Sequence, residues 1–262
     1  MKKNWSPAWR RACVWLAVLY AAVLVPRLTT AGLVDVLPRV KPSVVAVGTF
    51  QRTRSPQFRF LGTGFAVGSG RLVATNAHVV SGAVADGELE SLVIVVPGAS
   101  QGTIRKAVKA EVDPNADLAL LRLDGEPLPV LPLADGSFVA EGQSIAFTGF
   151  PIGSALGLTP VTHRGIVAAV TPIGIPQANS RQLKPALIRR LAGDAFRVYQ
   201  LDATAYPGNS GSPVFDPESG EVLGIINMVF VKGTKENALS APSGITYAIP
   251  VSHLRALLME VR

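Results

Sequence analysis

Short apolar runs rich in valine and isoleucine recur along the chain at residues 44–47, 64–67, 92–96, 118–123, 145–150, 166–170, 198–201, 222–229 and 245–249, each bounded by glycine, proline or polar turn residues. Runs of this length, with β-branched side chains that pack well on a pleated surface, predict strands and not amphipathic helices. Their recurrence between turn signals predicts an all-β fold, a barrel or sandwich. With 25 glycines and 20 prolines among 262 residues, long helices have little room.

Two segments read as helical. Residues 183–191 space their apolar side chains at helical intervals beside Lys184, Arg189 and Arg190, with Pro185 near the start. The chain's last segment begins at Ser252, a candidate N-cap, and places Leu254, Leu257 and Leu258 on one face. A passage rich in proline, glycine and aspartate at 124–136 divides the strand-rich region into comparable halves. The pattern therefore predicts one domain over 32–262 built of two small antiparallel β-barrels, at about 40–125 and about 136–250, closed by a short C-terminal helix.

The formal charge of +7 changes this picture little, because Lys2, Lys3, Arg10, Arg11 and Arg27 all precede the first acidic residue, Asp35. Beyond them 20 basic residues face 18 acidic ones, which gives no support to a nucleic-acid partner. The basic start followed by an apolar run at 12–25 and by Thr29, Thr30 and Ala31 has the layout of a signal peptide over 1–31. Fourteen apolar residues are short of the roughly 20 that span a bilayer, so cleavage is favoured over a signal anchor holding the chain to the cytoplasmic membrane. Either way the expected location is periplasmic or otherwise exported. Cys13, the sole cysteine, falls inside this leader, so the exported domain makes no internal disulfide.

The candidate chemistry centres on Pro207, Gly208, Asn209, Ser210, Gly211, Ser212 and Pro213. A serine hydroxyl is a weak nucleophile unless a base takes its proton and N–H donors hold the oxyanion it creates. Glycines on both sides of Ser210 let the backbone turn tightly and expose such donors. Of the three histidines, His78 follows an apolar run at 72–74 where a strand would end, while His163 sits between Thr162 and Arg164 and His253 lies in the terminal helix. Asp117 heads the apolar run at 118–123, placed to hold an imidazole at a strand end.

In the order His78, Asp117, Ser210, the stretches 75–80, 116–121 and 208–213 resemble the trypsin-like (chymotrypsin-fold) serine proteases, and in particular the HtrA/Deg group. Gly62 to Phe65, Gly149 to Gly153 and Gly244 to Pro250 extend the likeness over roughly residues 40–255. The resemblance implies a serine endopeptidase acting on unfolded or flexible polypeptides, with Ser210 as nucleophile, His78 as general base and Asp117 as its partner. It implies an oxyanion hole in the segment Gly208, Asn209, Ser210, and no metal or cofactor. Thr204, six residues before the nucleophile, falls at the base of the primary specificity pocket, with Ile226, Asn227 and Met228 on its wall. That set lacks a carboxylate, so selection of Lys or Arg is not expected, and an apolar residue of small or medium size is.

Two departures stand out. Ser212 occupies a position that is glycine in many members of the group, and Asn209 replaces the aspartate that pairs with a freed N-terminus in digestive enzymes. HtrA proteins usually add C-terminal PDZ domains, for which these 262 residues leave no room. Substrate capture by a PDZ domain is accordingly not expected, and the trimers common in that group are not carried over. The basic stretch at 171–197 reads as an insertion, either a solvated loop or a regulatory one. Two rival readings use the same residues, a catalytically silent protease-like binding domain and an esterase. An α/β-hydrolase is disfavoured because its elbow requires glycine where Ser212 stands.

Overall fold

The computed structural model describes residues 32–81, 89–98, 102–153, 157–172, 197–227 and 244–261. The leader with its apolar run at 12–25, the predicted helix at 183–191, almost all of the 171–197 insertion, and Met228 lie outside the described residues. Twelve strands form two closed antiparallel barrels of six. The first contains β1 (Val44–Gln51), β2 (Phe58–Val67), β3 (Leu72–Thr75), β4 (Glu90–Val96), β5 (Thr103–Asp113) and β6 (Leu118–Leu123), in the spatial order 1-2-3-6-5-4. The second contains β7 (Ser144–Gly149), β8 (Val161–Pro172), β9 (Arg197–Asp202), β10 (Pro213–Phe215), β11 (Val222–Asn227) and β12 (Ile245–Pro250), in the order 10-11-12-9-8-7. The all-β class and paired barrels predicted by the pattern are thus what the chain adopts.

The continuous apolar runs follow from burial of both faces of a strand. In β1, Val45 and Val47 point into the first barrel, while Val44 and Ala46 join a cluster containing Phe65, Phe150, Phe215 and Ile225 from both barrels. β6 repeats this, with Ala119, Leu121 and Leu123 inside and Leu118 and Leu120 on the seam. Alternate side chains leave opposite faces of a strand. A strand between a barrel interior and a neighbouring barrel therefore has no polar face. β5 has an outward face, with Ile104, Lys106 and Val108 exposed, and lacks a continuous apolar run.

The C-terminal helix runs Val251–Glu260 and buries Val251, Leu254 and Leu257. It starts one residue before the expected cap: Pro250, extended at ψ 144, ends β12 and serves as N-cap, which puts Ser252 inside the first turn. A second helix, Leu33–Val40, lies ahead of β1 and packs through Val36 and Val40 although Pro38 interrupts it. The seam is the part of the core that carries chemistry. Removing one of its wholly buried leucines, such as Leu120, should cost about 2–5 kcal/mol.

Candidate active site

His78 and Asp117 come from adjacent strand ends of the first barrel. β3 pairs with β6 as far as Thr75 opposite Ala119, so the residues just beyond those ends meet although 39 positions separate them. The peptide of Asp117 completes the junction, its carbonyl accepting from the Ala77 N–H at 3.1 Å and from Asn76 Nδ2 at 3.1 Å. A one-turn helix, Ala77–Val80, then carries His78 over the seam. Ser210 belongs to the loop between β9 and β10 of the second barrel, and its carbonyl accepts from the Thr63 N–H of the first barrel at 2.9 Å.

Three donors converge on the Asp117 carboxylate, which is only 8% exposed. Oδ1 accepts from the His78 backbone N–H at 2.8 Å, and Oδ2 accepts from His78 Nδ1 at 2.6 Å and from Asn227 Nδ2 at 2.7 Å. An ionised carboxylate only accepts, so Nδ1 carries the hydrogen and a neutral ring presents Nε2 as a lone pair. That nitrogen lies 3.0 Å from Ser210 Oγ. The arrangement can draw a proton from the hydroxyl and hold the resulting imidazolium against a buried negative charge.

The backbone beside Ser210 is bent by two glycines in the left-handed region, Gly208 at φ 105 and Gly211 at φ 86. No side chain fits at either: a Cβ at 211 would overlap the Thr63 carbonyl, and one at 208 would overlap that of Phe150. Asn209 is expected to add its N–H to an oxyanion site, but that N–H closes a turn onto the Tyr206 carbonyl at 2.9 Å. Among the described residues, the N–H groups of Gly208 and Ser210 have no acceptor. They are the donors available to a developing oxyanion.

The structure describes three of the four expected specificity residues. Thr204 is half-buried in the segment leading to Ser210, and Ile226 is wholly buried in the second barrel with Ala203, Ala205 and Val214. Asn227 has no exposed surface, and its amide donates to the Asp117 carboxylate. The position of Met228 is not described. Sequence reasoning misses this role of Asn227 and that of Thr63, whose hydroxyl donates to the Gly208 carbonyl at 2.7 Å and accepts from the Phe150 N–H at 3.1 Å. The Gly62, Thr63, Gly64 motif is the available signal for Thr63, whereas nothing local marks Asn227. His163, outside this relay, stacks on Phe147 with ring centroids 4.8 Å apart, and burial holds its pKa below the ordinary imidazole value.

The family model for the trypsin-like peptidase domain matches residues 62–225. A protein of Halomonas elongata named "Probable periplasmic serine endoprotease DegP-like" is 32% identical over 198 residues, covering 75% of this chain and 34% of that protein. The mitochondrial serine protease HTRA2 of Bos taurus is 29% identical over 251 residues, covering 94% of this chain and 46% of that protein. The chain therefore spans about a third to just under half the length of these curated relatives. The crystal structure of the serine endoprotease from Yersinia pestis superposes with a TM-score of 0.60 at 24% identity, covering 88% of this chain and 66% of that one, a likeness of fold.

Proposed function

This chain belongs to the trypsin-like peptidase family, and from that premise we propose that it is a serine endopeptidase cleaving unfolded or flexible polypeptides through His78, Asp117 and Ser210. The observation that carries the reading is the unbroken relay from Asp117 Oδ2 to His78 Nδ1 at 2.6 Å and from His78 Nε2 to Ser210 Oγ at 3.0 Å, assembled from both barrels. Ser210 Oγ attacks the substrate carbonyl carbon as His78 Nε2 takes its proton. The carbonyl oxygen becomes an anion held by the N–H groups of Gly208 and Ser210. Collapse breaks the C–N bond, and His78 returns the proton to the departing amine, leaving an acyl ester on Ser210. Water, deprotonated by the same nitrogen, then releases the acid and restores the hydroxyl.

Such a reaction needs no metal or cofactor. With no carboxylate among Thr204, Ile226, Asn227 and Met228, the residue before the scissile bond is apolar and of small or medium size, and a peptide library cut mainly after Lys or Arg would refute this. The leader over 1–31 directs export, consistent with the periplasmic description of the DegP-like relative. Among the described residues no helix is long and apolar enough to cross a membrane. N-terminal sequencing of the exported form tests cleavage at the leader. The mechanism is tested by labelling purified protein with a fluorophosphonate: wild type labels, Ser210→Ala does not, and His78→Ala labels at a rate lower by several orders of magnitude. Equal labelling of wild type and Ser210→Ala would defeat it.

A further inference from the structure

Among the described residues, two non-glycine residues have a left-handed backbone, Asp117 at φ 55 and Ile152 at φ 48. Asp117 has an evident task there, since its carbonyl and carboxylate hold the histidine segment. Ile152 is the odder case. A β-branched side chain is among the least suited to that region, and such an outlier persists only where its surroundings enforce it. Its N–H donates to the Pro207 carbonyl at 2.7 Å. In a trans peptide the carbonyl and the following N–H point in opposite directions. Holding the Pro207 carbonyl toward Ile152 therefore turns the Gly208 N–H away from it, free of any acceptor among the described residues.

We infer that Ile152 is a positioning residue that aims the Gly208 N–H at the oxyanion site, and that the cost of its left-handed backbone keeps the aimed arrangement only partly populated. This rests on the peptidase reading above. The neighbouring contacts show how the cost is transmitted. Gly153 and Gly208 both lie against the Phe60 ring, where a Cβ would come within 3.1 Å and 2.9 Å of Phe60 Cε1. Phe150 and Gly208 are tied together through Thr63 Oγ1. With Gly153 held on one side, relaxation of Ile152 to a negative φ rotates the Pro151–Ile152 peptide and withdraws its N–H from Pro207. The Pro207–Gly208 peptide then loses the bond that sets its direction, so the two peptides form one element with an aimed and an unaimed state.

The test compares the wild-type chain with Ile152→Asn and Ile152→Gly, which tolerate the left-handed region and keep the donor. The readouts are kcat and KM on a fluorogenic peptide, the inhibition constant of the matching peptide aldehyde, and thermal stability. Aldehyde binding reports the oxyanion donors because its hemiacetal oxygen occupies their site. The expected result is a rise in kcat and in aldehyde affinity of about three- to tenfold for both variants, with KM little changed, as the aimed population grows. A fourth protein, with Ile152 replaced by its α-hydroxy-acid analogue, keeps the side chain and lacks the N–H; it should lose about 10²-fold or more in kcat.

The inference is overturned if Asn and Gly raise the melting temperature while leaving kcat and aldehyde affinity unmoved, since the strain would then be only structural. A fall in kcat for both, or unchanged activity of the hydroxy-acid protein, also overturns it. Fluorophosphonate labelling of the same samples separates the two levels. No labelling of Ser210 in the wild type counts against the peptidase reading, whereas normal labelling with no response at 152 counts against this inference alone.

Discussion

Asp117→Asn changes one atom, and the geometry fixes its consequence. The carboxylate accepts three bonds: Oδ1 from the His78 backbone, and Oδ2 from His78 Nδ1 and Asn227 Nδ2. An amide has one acceptor oxygen and one donor nitrogen, so one of these positions must become NH₂. With the nitrogen at the Oδ1 position, it faces the His78 backbone N–H, donor against donor. At the Oδ2 position it faces Asn227 Nδ2 and supplies a hydrogen to His78 Nδ1, which moves the ring's own hydrogen to Nε2. That tautomer cannot take a proton from Ser210, whose hydroxyl is 3.0 Å away. Both orientations are poor, and the second disables the base.

A loss of about 10⁴-fold in kcat/KM is expected, roughly 5.4 kcal/mol of transition-state stabilisation at 1.36 kcal/mol per decade. A buried donor left without its acceptor should lower stability by only about 1–3 kcal/mol. The assay is hydrolysis of unfolded casein and of a fluorogenic peptide at matched active-site concentration, with circular dichroism and a thermal melt on the same samples. Activity within about tenfold of wild type, with the fold intact, would refute the role given to Asp117. Activity lost together with the fold would leave the donor-against-donor account equally wrong, because it predicts a stable, inactive protein.

Two further predictions concern the surroundings of the site. A Cβ added at Gly149 would overlap Ser212 Oγ and stand 2.7 Å from Asn209 Oδ1, so Gly149→Ala should cost about 1–3 kcal/mol and lower the melting temperature by about 2–4 °C for each kcal/mol. Adding Ser212→Gly should restore most of that loss, and a double variant no more stable than the single one would rule out this coupling. Burial holds His163 below the ordinary imidazole pKa of about 6.5, so the unfolded chain takes up its proton first as the pH falls. The stability tied to neutral His163 is therefore full above about pH 6.5 and declines below it toward the folded-state value. His253 is depressed by burial in the same direction, so His163→Gln should make the fall in melting temperature between pH 7 and 5 shallower without abolishing it. An unchanged slope would contradict the assignment.

Much of the fold could be read from sequence because strands such as β1, β6 and β11 bury most residues on both faces and appear as largely apolar runs. β5 escaped because Arg105, Lys106 and Lys109 break up its apolar positions and its exposed face mixes Lys106 with Ile104 and Val108. The N-cap role expected of Ser252 went to Pro250 because the end of β12 set where the helix began. His78, Asp117 and Ser210 were legible because each sits in a motif whose neighbours have a local conformational reason to be there. Asn227 and Thr63 were not legible in their working roles. Their hydrogen bonds reach Asp117 and Gly208 across 110 and 145 residues.

The sequence by itself determined the residue types for the chemistry, their order along the chain, and the all-β frame, since these follow from composition, local backbone freedom and strand periodicity. Only the tertiary structure decided which side chain orients Asp117, which backbone N–H groups beside Ser210 have no acceptor among the described residues, and that Ile152 takes a left-handed backbone against the Pro207 carbonyl. The physical reason is that a hydrogen-bond direction belongs to a pair of groups. The partners at this site come from two barrels closed independently, and their relative aim exists only after both have packed along the seam.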